Sequence, residues 1–191
     1  MYNTPNPALP LGLISLLSLL FAVPISADWK ETGSHLKLVD LLDREDGYCI
    51  DVAGSGEYVR FDLPLLTHNC KEGLYADEAV TYRDDGTLFF PAFDACVTVM
   101  GVNNNSLPYN ALMLKRCHVD EPFLKATQFQ TFEFTEDKQV QLMGSNLCIA
   151  AGDVSKATYS AAHRWRSLYM QECNVADKAL SQWQMVKPTI R

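Results

Sequence analysis

Asp51, in the run GYCIDVAG (47–54), is a carboxylate two places past a cysteine, and His68, in PLLTHNC (64–70), is an imidazole two places before the next one. A carboxylate accepts hydrogen bonds, and an imidazole does so or donates them according to its protonation near an ordinary pKa of about 6.5. Two further clusters carry chemistry-bearing types. CHVDE (117–121) sets a His, an Asp and a Glu close together, but a metal centre needs a further ligand from elsewhere in matched geometry, so no metal site is assigned. HRWRSLY (163–169) combines cations with aromatics between two cysteines, the composition of a loop that would meet a glycan or an anionic patch.

Sequence patterns of enzymes are missing. The chain has no G-x-S-x-G elbow, no H-E-x-x-H and no phosphate-binding glycine loop, and the histidines at 35, 68, 118 and 163 stand at unrelated positions. A carboxylate pair for glycoside cleavage is defined by separation in space, which a linear string does not give. A non-catalytic binding protein without a cofactor is expected. Acidic side chains number 23 against 16 basic ones, a net charge of −7; such a surface repels phosphate backbones and argues against nucleic acid as a partner.

The elements that must position these groups begin after a leader. LGLISLLSLLFAV (11–23), then Pro24 and ISA, is too short to span a bilayer and fits a secretory apolar core, with cleavage expected between Ala27 and Asp28. Its amino-terminal flank departs from the usual pattern in carrying neither Lys nor Arg. The expected mature protein, residues 28–191, is secreted, forms a single domain and has no integral membrane segment. All six cysteines lie in it, which reads as disulfides formed in an oxidising compartment.

The cysteines are regularly placed. Cys49 to Cys70 and Cys96 to Cys117 are each 21 apart and Cys148 to Cys173 is 25 apart, which predicts one local staple in each of three repeats, about 33–82, 83–132 and 133–187. Other landmarks keep the register: Leu41, Leu88 and Val140 eight places before the first cysteine, Ile50, Val97 and Ile149 directly after it, and Leu65, Leu112 and Leu168 five before the second. Tyr82, Phe132 and Trp183 follow at offsets of 12, 15 and 10 and are assigned to the core. About four short apolar runs per repeat, separated by turns such as RDDGT (83–87) and TEDKQ (135–139), predict an all-β barrel with threefold pseudosymmetry. KATYSAAHRWRS (156–167) has room for a helical turn.

This register resembles the ricin-type β-trefoil lectins. The resemblance is carried by YCIDV (48–52), VRFDLPLLTHNC (59–70), ALMLKRC (111–117), NLCIAAG (146–152), SLYMQEC (167–173) and SQWQM (181–185). The last looks like a worn Gln-x-Trp signature, QTF (130–132) keeps the glutamine, and VTY (80–82) keeps only an aromatic. It covers about residues 33–187 and implies sugar binding without catalysis. In that family each pocket uses an Asp just past the first cysteine, an aromatic platform two before the second, and amides three and two places before the signature tryptophan.

Carried over, repeat one offers Asp51, His68, Ala79 and Val80; repeat two Thr98, Lys115, Phe129 and Gln130; repeat three Ala150, Gln171, Leu180 and Ser181. Asp51 and His68 are therefore the candidate carbohydrate-binding residues, with Asp51 alternatively satisfying the amides of the following AGSG turn. Expected partners are glycans or glycoproteins. The erosion of the other pockets leaves a protein-binding trefoil, a toxin or effector subunit or an inhibitor, as the alternative. Asn104, in NNS (104–106), is a possible N-glycosylation acceptor.

Overall fold

The computed structural model describes residues 29–103 and 105–188; the leader expected over 1–27 and the acceptor Asn104 lie outside them. Repeat one supplies β1 (His35–Leu38), β2 (Tyr48–Asp51), β3 (Leu66–Asn69) and β4 (Thr81–Tyr82). Repeat two supplies β5 (Leu88–Phe90), β6 (Ala95–Val99), β7 (Leu112–Lys115) and β8 (Phe132–Phe134). Repeat three supplies β9 (Val140–Leu142), β10 (Leu147–Ala151), a short extra strand β11 (Lys156–Ala157), β12 (Arg164–Glu172) and β13 (Trp183–Val186). Every pairing between these strands is antiparallel, and β13 returns to pair with β1, so the first and last strands join. The fold is an all-β trefoil.

One disulfide staples each repeat, Cys49–Cys70, Cys96–Cys117 and Cys148–Cys173. The cysteines sit at matching places: Cys49 opposes His68, Cys96 opposes Lys115 and Cys148 opposes Gln171. Directly after each leading cysteine, Ile50, Val97 and Ile149 are fully buried. Each repeat alone would leave these side chains wet; together they form one continuous core with Leu36, Leu88, Val140, Phe90, Phe132 and Trp183.

Pairing register corrects two of the sequence landmarks. Leu38 opposes Trp183 and Phe132 opposes Leu142, whereas Tyr82 opposes Leu88 and Phe134 opposes Val140. Tyr82 is thus the counterpart of Phe134, and the residue matching Phe132 and Trp183 is Val80, buried where Tyr82 is 38% exposed. Tyr82 packs edge-on against Phe134 and donates its hydroxyl to the Phe132 carbonyl at 2.9 Å. Likewise Lys37 opposes Cys49 as Phe89 opposes Cys96, so Leu36, not the exposed Leu41, matches Leu88 and Val140. The longer β1–β2 turn, which includes LLDREDG, displaced the count.

Residues 156–167 form a hairpin in place of the helical turn: Lys156 opposes Trp165 and Ala157 opposes Arg164. β12 runs for nine residues and reaches past its own repeat to pair with β3 of repeat one. The helices described here are single turns, Trp29–Thr32, Ala126–Phe129 and Lys178–Ser181, and no helix among the described residues is long and apolar enough to cross a membrane.

Candidate functional site

Three strands bring the site together. Cys49 opposes His68 and Asp51 opposes Leu66, which makes Asp51 and His68 diagonal neighbours on one sheet face. Trp165 of β12 lies opposite His68 on its other side and therefore shares that face. A cavity of about 320 Å³ opens there, and among its lining side chains are Asp51, His68, Lys71, Tyr159, His163 and Trp165. Repeat one provides the first three and the repeat-three hairpin the rest. The structure brings the two sequence candidates, Asp51 and His68, together on one face; the aromatic wall comes from another repeat, where HRWRSLY stands between the more widely spaced cysteines.

The hairpin is anchored to repeat one. Asp43 accepts from Ser155 Oγ at 2.7 Å and from Tyr48 Oη at 2.9 Å, and pairs with Arg166. Arg164 donates from Nε to Ser155 Oγ at 3.0 Å and from its backbone N to Asn69 Oδ1 at 2.8 Å. Partial burial works against the Asp43 charge, but the hydrogen bonds from Arg166, Ser155 and Tyr48 outweigh it and hold the carboxyl well below the usual range.

Asp51 is 4% exposed, and its Oδ2 accepts from Lys71 Nζ at 3.0 Å. The same ammonium lies 2.8 Å from Asp77 Oδ2 and 3.7 Å from Glu78 Oε1. Burial, reinforced by the Glu78 and Asp77 charges, pushes the Asp51 carboxyl up despite Lys71. Burial also opposes the Lys71 charge, but Asp51, Glu78 and Asp77 overcome it and keep the ammonium protonated. His68 Nδ1 lies 2.9 Å from the Asn69 carbonyl oxygen, which accepts only; Nδ1 therefore carries the proton and Nε2 keeps its lone pair. Burial lowers the His68 pKa, and nearby Lys71 and His163 act in the same direction.

Glu78 and Asp77 were missed because of the two-residue slip. With Val80 in the signature aromatic place, the amide places of repeat one hold Asp77 and Glu78, not Ala79 and Val80. The offset from the second cysteine was the available signal, since Val80 stands as far past Cys70 as Trp183 stands past Cys173. In repeat two the places of Glu78 and Asp51 hold a neutral pair: Gln130 Nε2 donates to Thr98 Oγ1 at 2.9 Å, and its Oε1 accepts from the His118 backbone N at 2.8 Å. Glu78 Oε2 repeats that second bond, accepting from the Lys71 backbone N at 3.1 Å.

Of the two further sequence clusters, HRWRSLY reaches the cavity through His163 and Trp165, whereas CHVDE does not converge. In CHVDE, His118 faces Asp85, Asp120 pairs with Lys125 and Glu121 with Lys115. In repeat three, Ser181 is occupied by Gln139 Nε2 at 3.2 Å.

No protein-family model matches the sequence, and no curated protein matches it. Solved structures do. The β-trefoil lectin of the Vibrio vulnificus hemolysin/cytolysin, solved with N-acetyl-D-lactosamine bound, matches at 15% identity and a TM-score of 0.50, over 83% of this chain and 98% of that one. The solution structure of the mdaA-1 domain matches at 11% identity and a TM-score of 0.55, over 83% and 92%. At these identities the likeness is one of fold.

Proposed function

We propose that the protein is a secreted, non-catalytic carbohydrate-binding trefoil of ricin-type character, composed of a leader over 1–27 and one domain over 28–191. Its sugar pocket is the cavity built around Asp51 and His68 of repeat one and walled by the repeat-three hairpin. The observation that carries the reading is a buried carboxylate, Asp51, at a cavity whose wall includes the half-exposed indole of Trp165. A sugar ring offers an apolar C–H patch on one side and hydroxyls at its edge; an indole covers the first, and a carboxylate and an imidazole bond the second. His68 takes the family's platform position as a hydrogen-bonding group, and Trp165 takes over stacking from across the repeat boundary.

Support also comes from the fold shared with a trefoil that binds N-acetyl-D-lactosamine. The test is glycan-array binding by the purified protein beside Asp51→Ala. Binding by the first and not the second is expected, and equal binding by both removes the site assignment.

A second reading, a protein-binding trefoil, is favoured by one feature of repeat two. Leu107, Tyr109 and Phe123 are exposed on neighbouring loops, with Tyr109 and Phe123 held in left-handed backbone at φ of 68° and 64°. A stoichiometric protein partner co-purifying from the native secretion, with no elution by sugars, would favour it over glycan binding.

A further inference from the structure

The buried floor of the pocket is short of positive charge. Asp51, Asp77 and Glu78, all buried, face the ammonium of Lys71, and Glu78 Oε2 also lies 3.3 Å from Nε2 of the buried His35. Against three carboxylates, Lys71 and a protonated His35 leave one negative charge, and Lys71 with a neutral His35 leaves two, in a region from which water is largely removed; an uncompensated buried charge is among the most costly features a fold can hold. The scaffold does not demand this arrangement. Repeat two fills the places of Asp51 and Glu78 with Thr98 and Gln130, which satisfy one another by a hydrogen bond.

Two carboxylate oxygens are left over. Among the described residues, Asp51 Oδ1 and Glu78 Oε1 are buried and accept no hydrogen bond, in side chains 4% and 0% exposed. Lys71 lies on the other oxygen of Asp51 and, at 3.7 Å, too far from Glu78 Oε1 for a hydrogen bond. His68 adds a third acceptor, because its Nδ1 proton is given to a backbone carbonyl and Nε2 is left as a lone pair. That is the arrangement by which a protein fixes the tautomer of a metal-ligating histidine. One ligand atom from each of Asp51, His68 and Glu78 lies within 4.8 Å of the other two, a spread that a single ion with ligand distances of about 2.0–2.4 Å can bridge.

We propose that Asp51, Glu78 and His68 form a divalent-metal site at the floor of the pocket. An imidazole with two carboxylates suits zinc or manganese better than magnesium. A divalent ion also supplies the positive charge that the cluster lacks, with Lys71 retained on Asp51 Oδ2 and Asp77 and His35 on Glu78 Oε2. Three protein ligands leave coordination positions free, and as Asp51 and His68 line the cavity these face it. Two adjacent hydroxyls of a sugar would complete the shell. This last part rests on the carbohydrate-binding reading; the metal site itself does not.

The test uses the full purified protein stripped with EDTA. Calorimetric titration with ZnCl2 alone, and separately with MnCl2 alone, is expected to show one ion per chain for at least one of them. The double variant Asp51→Thr with Glu78→Gln restores the residue types that repeat two carries, so folding is expected to persist, checked by its thermal transition, while affinity falls at least 100-fold. Absence of stoichiometric uptake, or uptake unchanged in the double variant, overturns the site; the charge deficit is then met by protons, read as a proton uptake by the wild type that the double variant loses. Glycan binding is then measured with and without EDTA. Binding that survives chelation overturns the sugar-ligating role, whereas metal uptake without any glycan binding leaves the site standing and counts against the carbohydrate reading alone.

Discussion

Trp165 of the third repeat stands opposite His68 of the first across the β12–β3 pairing. The pocket therefore does not belong to one repeat, although its carboxylate does. Four additional residues between the cysteines of repeat three, compared with the other two, feed a hairpin that reaches over its neighbour and supplies an indole where the repeat-one strand itself presents a histidine.

Replacing that indole tests the shared pocket. Trp165 is 36% exposed, so Trp165→Ala is expected to change folding stability by no more than about 1 kcal/mol. Affinity for the best glycan on an array should fall tenfold or more, on the order of 1.4 kcal/mol. Titration of wild type and variant by calorimetry, beside a thermal melt of each, checks both halves.

His68 links the pocket to pH. Its folded pKa is lowered by burial, with Lys71 and His163 adding to the effect, so in a window below about 6.5 the unfolded chain takes up a proton that the folded chain refuses. Stability that His68 contributes is present above about 6.5 and is lost as pH falls through its folded pKa. The stability difference between wild type and His68→Gln, from urea denaturation at pH 7.5 and pH 5.5, should therefore move against the wild type at the lower pH. The groups facing His68, namely Asp51, Lys71, Glu78 and His163, remain in both proteins.

Legibility in the sequence followed the residues that repeat. Ile50, Val97 and Ile149, and the paired cysteines, occupy equivalent core positions because each repeat must bury the same strand and close the same loop. The core position of Val80 was hidden, since a nearby tyrosine looked more like the signature aromatic than a valine did. Once that slip is made, Asp77 and Glu78 fall outside the site, and the acidic cluster around Asp51 disappears with them. HRWRSLY marked Trp165 as belonging to a recognition loop, but its place beside His68 was not legible, because pairing between β12 and β3 joins segments almost 100 residues apart in the chain.

Tyr82 and Phe132 separate the two registers experimentally. Phe132 is fully buried in the common core, and Phe132→Ala should cost about 3–5 kcal/mol. Tyr82→Phe removes only the hydroxyl bond to the Phe132 carbonyl, worth about 1 kcal/mol. Urea unfolding of both variants should rank them in that order. Tyr82→Ala, which removes the ring as well, should still cost less than Phe132→Ala; an equal loss would return Tyr82 to the core.

Asp43 is expected to act as an acid-sensitive latch on the hairpin. It accepts from Ser155 and pairs with Arg166, both from repeat three, while belonging to repeat one. Despite the opposing effect of burial, the bonds from Arg166, Ser155 and Tyr48 depress its folded pKa below the ordinary 3.8. A depressed carboxylate contributes stability that is present above its unfolded pKa and is lost as pH falls through the folded one. Asp43→Asn should therefore destabilise the protein at pH 7, and its deficit should shrink as pH falls below about 4. Because the side chain is 42% exposed, solvent screening limits the effect, and high salt should reduce it further. Hydrogen exchange gives the local readout: amides of the 155–167 hairpin should exchange faster in Asp43→Asn than in wild type at pH 7, with those of β6 and β7 unchanged. Uniform acceleration across both regions would mean that Asp43 supports the whole fold and does not fasten the hairpin.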